Sequence, residues 1–178
     1  MRRVNNKKPS VKKVFLRYLE CVQLINVYTQ DMNKTAFRKD IKTVQAVQFN
    51  INLISQATSV LKMSYRKENK DIKWNYIVEF RNDLIHEYYN TGKNLTWDFV
   101  KEYLPKLEKK CIDYLFEVNH FKKEDFEKRG LDRKYLPSLD EKLRSLEIES
   151  SKNKDVTSRI DKDVNNTKNI EEDMEMEI

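Results

Sequence analysis

Residues 43–61 read TVQAVQFNINLISQATSVL, the longest stretch of the chain without a charged side chain. Its length would span a bilayer, but Gln45, Gln48, Asn50, Asn52 and Gln56 place amides along it that hydrocarbon could not satisfy. It therefore reads as a buried helix and not as a transmembrane one. Two apolar stripes follow it at three- and four-residue steps: Val44, Val47, Ile51, Ile54 and Leu61 on one side, and Ala46, Phe49, Leu53, Ala57 and Val60 on the other. A helix apolar on two sides requires two partners. One is the bundle to which it belongs. The other is either a further helix of that bundle or a second copy of the chain.

The same periodicity recurs outward from this segment. Upstream, Pro9-Ser10 starts a helix through Val11, Phe15, Tyr18, Leu19, Val22 and Ile25 that ends near Asp31, with a connection from Asn33 to Asp40. Downstream, Arg66 to Lys70 breaks the pattern, and Asp71 is placed to cap a third helix from about 72 to 89. Asn90-Thr91-Gly92 closes that helix, with Gly92 suited to a left-handed cap. A fourth helix starts at Thr96 and runs through Trp97, Val100, Leu104, Leu107, Cys111, Leu115 and Val118, kinked where Pro105 removes a backbone donor. Ser138 and Glu141 have capping-box spacing for a last helix to about 146. With only 2 Gly and 3 Pro in 178 residues, long helices are favoured over a turn-rich sheet. The expected architecture is all-α, an antiparallel four- to five-helix bundle over residues 11–120. A basic flexible arm (1–10) precedes it; a helical extension (121–150) and a disordered, polar, charged tail (151–178) follow.

Charge is uneven. The formal total is +6, but residues 151–178 hold 5 Lys or Arg against 8 Asp or Glu, leaving 30 against 21 in the body. A basic body attracts polyanions such as RNA, although the same excess also serves solubility. Cys21 and Cys111 lie far apart in apolar helical patterns, which fits buried thiols in a reducing, cytoplasmic setting. The basic residues 1–13 are not followed by the apolar run of a secretory signal. The chain has no Gly-rich phosphate loop and no His-Glu-x-x-His pair, and His86 and His120 are its only histidines, so neither cofactor nor metal is expected. His120, beside Asn119, suits a helix C-terminus.

The stretch with chemical content is Arg81-Asn82-Asp83-Leu84-Ile85-His86-Glu87-Tyr88. Metal-free RNA cleavage needs a proton carrier near the 2′-hydroxyl and leaving oxygen, and positive charge on the crowded phosphate. An imidazole such as His86, with an ordinary pKa of about 6.5, serves the first need. A guanidinium such as Arg81, with its forked donors, serves the second. Asn82 is placed to orient either, with Asp83 as further polar support, and Tyr88 offers a phenol. The spacing by itself equally describes a surface ion pair of Arg81 with Glu87 or Asp83 and a satisfied His86. At about 100° per residue, Asn82 and His86 lie about 40° apart but Arg81 and His86 about 140°. Arg81 must therefore reach around the helix, or the site must be completed across a dimer interface.

Arg-Asn, three residues, then His-x-Tyr, present here as Arg81-Asn82, His86 and Tyr88, resembles the signature of the HepT-like HEPN family. The surroundings resemble it too: Ile72-Lys73-Trp74-Asn75-Tyr76-Ile77-Val78 before the motif, Leu95-Thr96-Trp97-Asp98-Phe99-Val100 and Tyr103-Leu104-Pro105-Lys106-Leu107 after it, and residues 40–57 upstream. One departure is Ile54-Ser55-Gln56-Ala57, where family members often carry Ile-Gly-Glu-Ala, so a glutamate is absent. The resemblance implies a HEPN bundle that forms a homodimer, with Arg81 and His86 of the two copies making a ribonuclease centre in a basic cleft. It also implies a toxin silenced by a minimal nucleotidyltransferase antitoxin that transfers AMP to Tyr88. A packed aromatic near Leu84 and Ile77 is the other reading of Tyr88. A non-catalytic HEPN module that binds a nucleotidyltransferase or RNA is the alternative for the whole.

Overall fold

A computed structural model describes residues 9–86 and 92–152, with the side chains of Ile85 and His86 excepted. Residues 1–8 of the expected arm, Glu87, Tyr88, Asn90-Thr91 of the expected helix closure, and the tail from residue 153 lie outside the described residues. The chain divides into two compact units, Met1–Asp140 and Glu141–Ile178. The described part of the second, residues 141–152, is helical.

All regular structure among the described residues is helical. In the first unit the long helices are α1 (Val11–Tyr28), α3 (Ile41–Ser59), α5 (Trp74–His86) and α7 (Leu104–Glu117). The shorter ones are α2 (Lys34–Lys39), α4 (Met63–Glu68), α6 (Gly92–Asp98) and α8 (Lys123–Glu127), with a π turn at Phe99–Tyr103 and a 3₁₀ turn at Arg133–Tyr135. α1 packs on α3 and α7, and α3 packs on α5, so the fold is an all-α bundle with α3 in contact with both α1 and α5. Among the described residues no helix is long and apolar enough to cross a membrane.

The first stripe of α3 is the buried one: Val44, Val47, Ile51 and Ile54 are in the core, as is Leu61 just beyond the helix. They face the predicted stripe of α1, where Phe15, Tyr18, Leu19, Val22 and Ile25 are all buried. A polar bond joins the two helices: Thr58 Oγ1 donates to the Ile54 carbonyl at 2.9 Å, so the Tyr18 hydroxyl, 2.8 Å away, must be the donor to Thr58. The second stripe is only partly covered by the described helices. Phe49 is 61% exposed, and Ala46, Leu53, Ala57 and Val60 are half-buried.

Several local expectations are corrected. The connection from Asn33 to Asp40 contains α2, because the Asn33 side chain accepts the Ala36 N–H at 2.9 Å and Phe37 is buried against Trp97. The charged break contains α4, and α5 begins at Trp74, three residues after Asp71, whose carboxylate pairs with Lys110 at 3.0 Å. The closure of α5 lies outside the described residues; Gly92 is the first residue of α6, and Thr96, expected to start a helix, is buried within it, donating to the Gly92 carbonyl and accepting from Gln48. Pro105 kinks the chain through the π turn, in which the Leu104 N–H reaches back to the Phe99 carbonyl. Val118 falls just past α7 and is exposed. Gly130 is left-handed and ends α8, with Gly130 N–H to the Glu127 carbonyl and Leu131 N–H to the Phe126 carbonyl. Cys21 and Cys111 are free and buried as expected; burial pushes the Cys21 thiol up to about 11 and that of Cys111 well above its usual range.

The helix expected from Ser138 begins one residue earlier, at residue 137, and is capped from outside. The Ser138 N–H donates to Oε1 of Glu108 on α7 at 2.7 Å. Glu108 is buried, and burial pushes its carboxyl up to about 7 despite that bond and a further one from Leu139. A carboxyl raised on folding contributes stability that is full below its ordinary value of 4.5 and is lost as pH climbs through about 7. Glu108→Gln keeps an acceptor without the buried charge. It is predicted to stabilise the protein by about 1–3 kcal/mol at pH 8 and to change little at pH 4.5, as read by urea denaturation at the two pH values.

Candidate functional site

The helix that carries the motif is held at two places by aromatic packing. At its start, Trp74 lies 6.5 Å from Phe15 of α1, and Phe15 also meets Tyr65 of α4 and Tyr114 of α7. The Trp74 indole N–H donates to the Asn69 carbonyl at 2.7 Å, fixing the turn between α4 and α5. In its middle, Phe80 stacks on Phe99 of the π turn, with ring centroids 4.2 Å apart, flanked by Tyr76 and Tyr103. Ile77, Phe80 and Leu84 are buried, which fixes the rotation of α5.

This rotation leaves Asn82 and Asp83 exposed and Arg81 half-buried. The Nε of Arg81 is shut off from solvent and, among the described residues, has no hydrogen-bond partner. Asp83 is not within ion-pair distance of Arg81, so one of its two expected carboxylate partners is ruled out; Glu87 lies outside the described residues. A desolvated guanidinium N–H without an acceptor costs about 1–3 kcal/mol or more, and a phosphate oxygen is the kind of acceptor that would relieve it. Asp83 instead adds to the field at Tyr76, whose phenol is pushed above its usual range first by burial and then by the charges of Glu102, Asp83 and Asp98.

Residues 74–86 form one uninterrupted helix. By backbone register, positions 82 and 86 therefore share a face, and Arg81 stands about 140° from position 86. A single copy does not bring Arg81 and position 86 to one side of α5. The side chain of His86 and all of Tyr88 lie outside the described residues. Gln56, at the position of the absent family glutamate, is exposed, and its neighbour Ser55 is buried with an unpartnered hydroxyl. Among the described residues no group of three or more His, Cys, Asp or Glu side chains is close enough to hold a metal ion. Sequence reading missed the π turn that carries Phe99, because Pro105 signals a break without saying which carbonyls widen. It also passed over Arg66, Lys67 and Lys70 as a plain interruption and took Lys73 only as part of the third helix, although their spacing puts four cations around one inter-helix turn.

A family model described as "Ribonuclease HepT-like" matches residues 18–113, a span that includes all of α5. Among curated proteins, the "Gamma-glutamylcyclotransferase and putative RNase MJ0434" of Methanocaldococcus jannaschii is 32% identical over 108 residues, 60% of this chain and 49% of that one. The match thus spans about half the length of that relative. "Putative RNase MJ1380" of the same organism is 28% identical over 102 residues, 57% of this chain and 94% of that one. "Probable ribonuclease HepT" of Thermococcus cleftensis is 29% identical over 91 residues, 51% and 83% of the two chains. No solved structure gives a significant match.

Two substitutions separate packing from chemistry on α5. Phe80→Ala empties the stack on Phe99 and is expected to destabilise the protein by about 3–5 kcal/mol. Arg81→Met removes an unsatisfied donor while keeping the aliphatic packing, and is expected to leave stability within about 0.5 kcal/mol of the parent or slightly raise it. Chemical denaturation of both variants checks the contrast.

Proposed function

Because the chain belongs to the ribonuclease HepT-like family, we propose that it is a metal-independent RNA endonuclease whose centre is made by Arg81 and His86 across a homodimer cleft. The observation that carries this reading is the guanidinium of Arg81, half-buried on α5, with its Nε desolvated and without an acceptor. Its angular separation from position 86 supports a centre assembled from two copies. The partly covered second stripe of α3, with Phe49 61% exposed, supports a face for the second copy.

In this mechanism His86 takes the proton of a ribose 2′-hydroxyl as that oxygen attacks the adjacent phosphorus. Arg81 donates to the phosphate oxygens as charge gathers on them. The bond to the 5′-oxygen breaks, that oxygen receives a proton from an imidazolium, and the products are a 2′,3′-cyclic phosphate and a 5′-hydroxyl. Asn82 orients the imidazole or the phosphate, and Asp83 supports the polar rim. The protein acts in the cytoplasm as the toxin of a toxin–antitoxin pair. Its partner is a minimal nucleotidyltransferase that transfers AMP from ATP to the phenolic oxygen of Tyr88, with loss of the phenolic proton and release of pyrophosphate, placing a bulky anion beside Arg81 that excludes RNA by charge and volume.

The purified protein is expected to cleave RNA in EDTA, leaving cyclic phosphate ends. Arg81→Ala and His86→Ala should each slow cleavage by about 100-fold or more with helicity retained in circular dichroism. Mixing the two variants should restore measurable cleavage, since one hybrid dimer site keeps an Arg81 from one copy and a His86 from the other. Undiminished cleavage by both variants would dismiss these residues as the centre. A parent protein that binds RNA or a nucleotidyltransferase but never cleaves would leave the non-catalytic HEPN module in its place.

A further inference from the structure

At the far end of α5 from His86, the turn between α4 and α5 forms a solvent-open groove of about 390 Å³. Four cationic residues line it, Arg66 and Lys67 from α4 and Lys70 and Lys73 from the turn, over a floor that includes Ile72 and Trp74. Among the described residues no carboxylate lines it. Asp71, the acid nearest in sequence to the lysines of the turn, is drawn away by Lys110 at 3.0 Å. Among the described residues none of the four cations is in an ion pair. Arg66 is half-buried, and its Nε is shielded from solvent without a hydrogen-bond partner, the same condition as Arg81. The first residues of α5, Trp74 and Asn75, also line the groove, so the positive end of a 13-residue helix adds its field there.

Four gathered cations without carboxylates repel one another, and a desolvated guanidinium donor lacks an acceptor; a phosphodiester would relieve both. We propose that this groove is a phosphate subsite that holds the RNA strand to one side of the bond cut at Arg81. The inference rests on the ribonuclease reading and extends it. Trp74 and Arg81 are seven residues apart on one helix, which puts them about 20° apart around its axis and about 10 Å apart along it. A single RNA strand covers that distance within a few nucleotides. The floor gives no base-reading surface, since the Trp74 ring is buried against Phe15, so the contact is to the backbone and insensitive to sequence.

The test uses the full-length His86→Ala protein, which binds without cutting, and a fluorescein-labelled single-stranded RNA of mixed sequence. Fluorescence anisotropy is measured over a salt series, with and without Lys67→Ala, Lys70→Ala and Lys73→Ala together. Losing three phosphate contacts on a single strand should make the slope of log K against log salt shallower by about 2. A control variant, Lys106→Ala with Lys109→Ala and Lys128→Ala, carries the same charge change on α7 and just beyond α8 and should leave most of the slope in place. Equal slopes for the two triple variants, or no change in either, would overturn the subsite, as would an absence of RNA binding altogether. In the cleaving parent, the subsite variant should raise KM at least tenfold while kcat stays within about twofold, the mark of binding shared by ground and transition states. Cleavage by a parent whose subsite variant behaves like the control would sink the subsite alone. The predicted slope change in a protein that never cleaves would keep the subsite and sink the nuclease.

Discussion

The stack of Phe80 on Phe99 is the contact on which the candidate site depends. Trp74 anchors only the first turn of α5, and the motif begins two turns further on. Between those points, the face-to-face contact of two buried rings fixes both the height and the rotation of the helix. Two aromatic side chains bury a large apolar area and add a directional preference that aliphatic packing lacks. Arg81 follows Phe80 in the chain, so the rotation that buries the ring also sets the guanidinium at the edge of the core, half-covered and with one donor desolvated.

Phe99 stands where it does because of Pro105. A proline within a continuous helical path withholds a donor and crowds the preceding turn. The chain answers by widening one turn, Phe99–Tyr103, so that the Leu104 N–H reaches the Phe99 carbonyl, and then resumes as α7. The same helix carries Glu108, whose buried carboxylate takes the Ser138 N–H. One segment thus supports α5 through an aromatic ring and caps the turn beginning at residue 137 through a carboxylate.

The two half-buried arginines share a further property. Arg66 and Arg81 each hold an Nε out of water without a protein acceptor, one in the turn before α5 and one on α5 itself. Folding normally satisfies such donors or leaves them to solvent. Two of them along one stretch, in a body that carries more cations than anions, make a line of positive sites suited to a chain of phosphates.

The sequence by itself determined the helical class, the stripe of α1, the buried stripe of α3 and the location of the motif on a helix. Those follow from apolar spacing and from the scarcity of Gly and Pro, both local properties of the chain. The spacing also carried the angular mismatch between Arg81 and position 86, since helix geometry is the same in any protein. Only the tertiary structure decided that Asp71 pairs with Lys110 and α5 begins at Trp74, that Gly92 opens a helix, that Glu108 caps residue 138, and that Arg66, Lys67, Lys70 and Lys73 surround one groove. In each case the outcome turns on a partner distant in sequence or on how two elements meet. A cap, a charge or a glycine has several local uses of nearly equal free energy, and the choice falls to whichever neighbour the fold brings within reach.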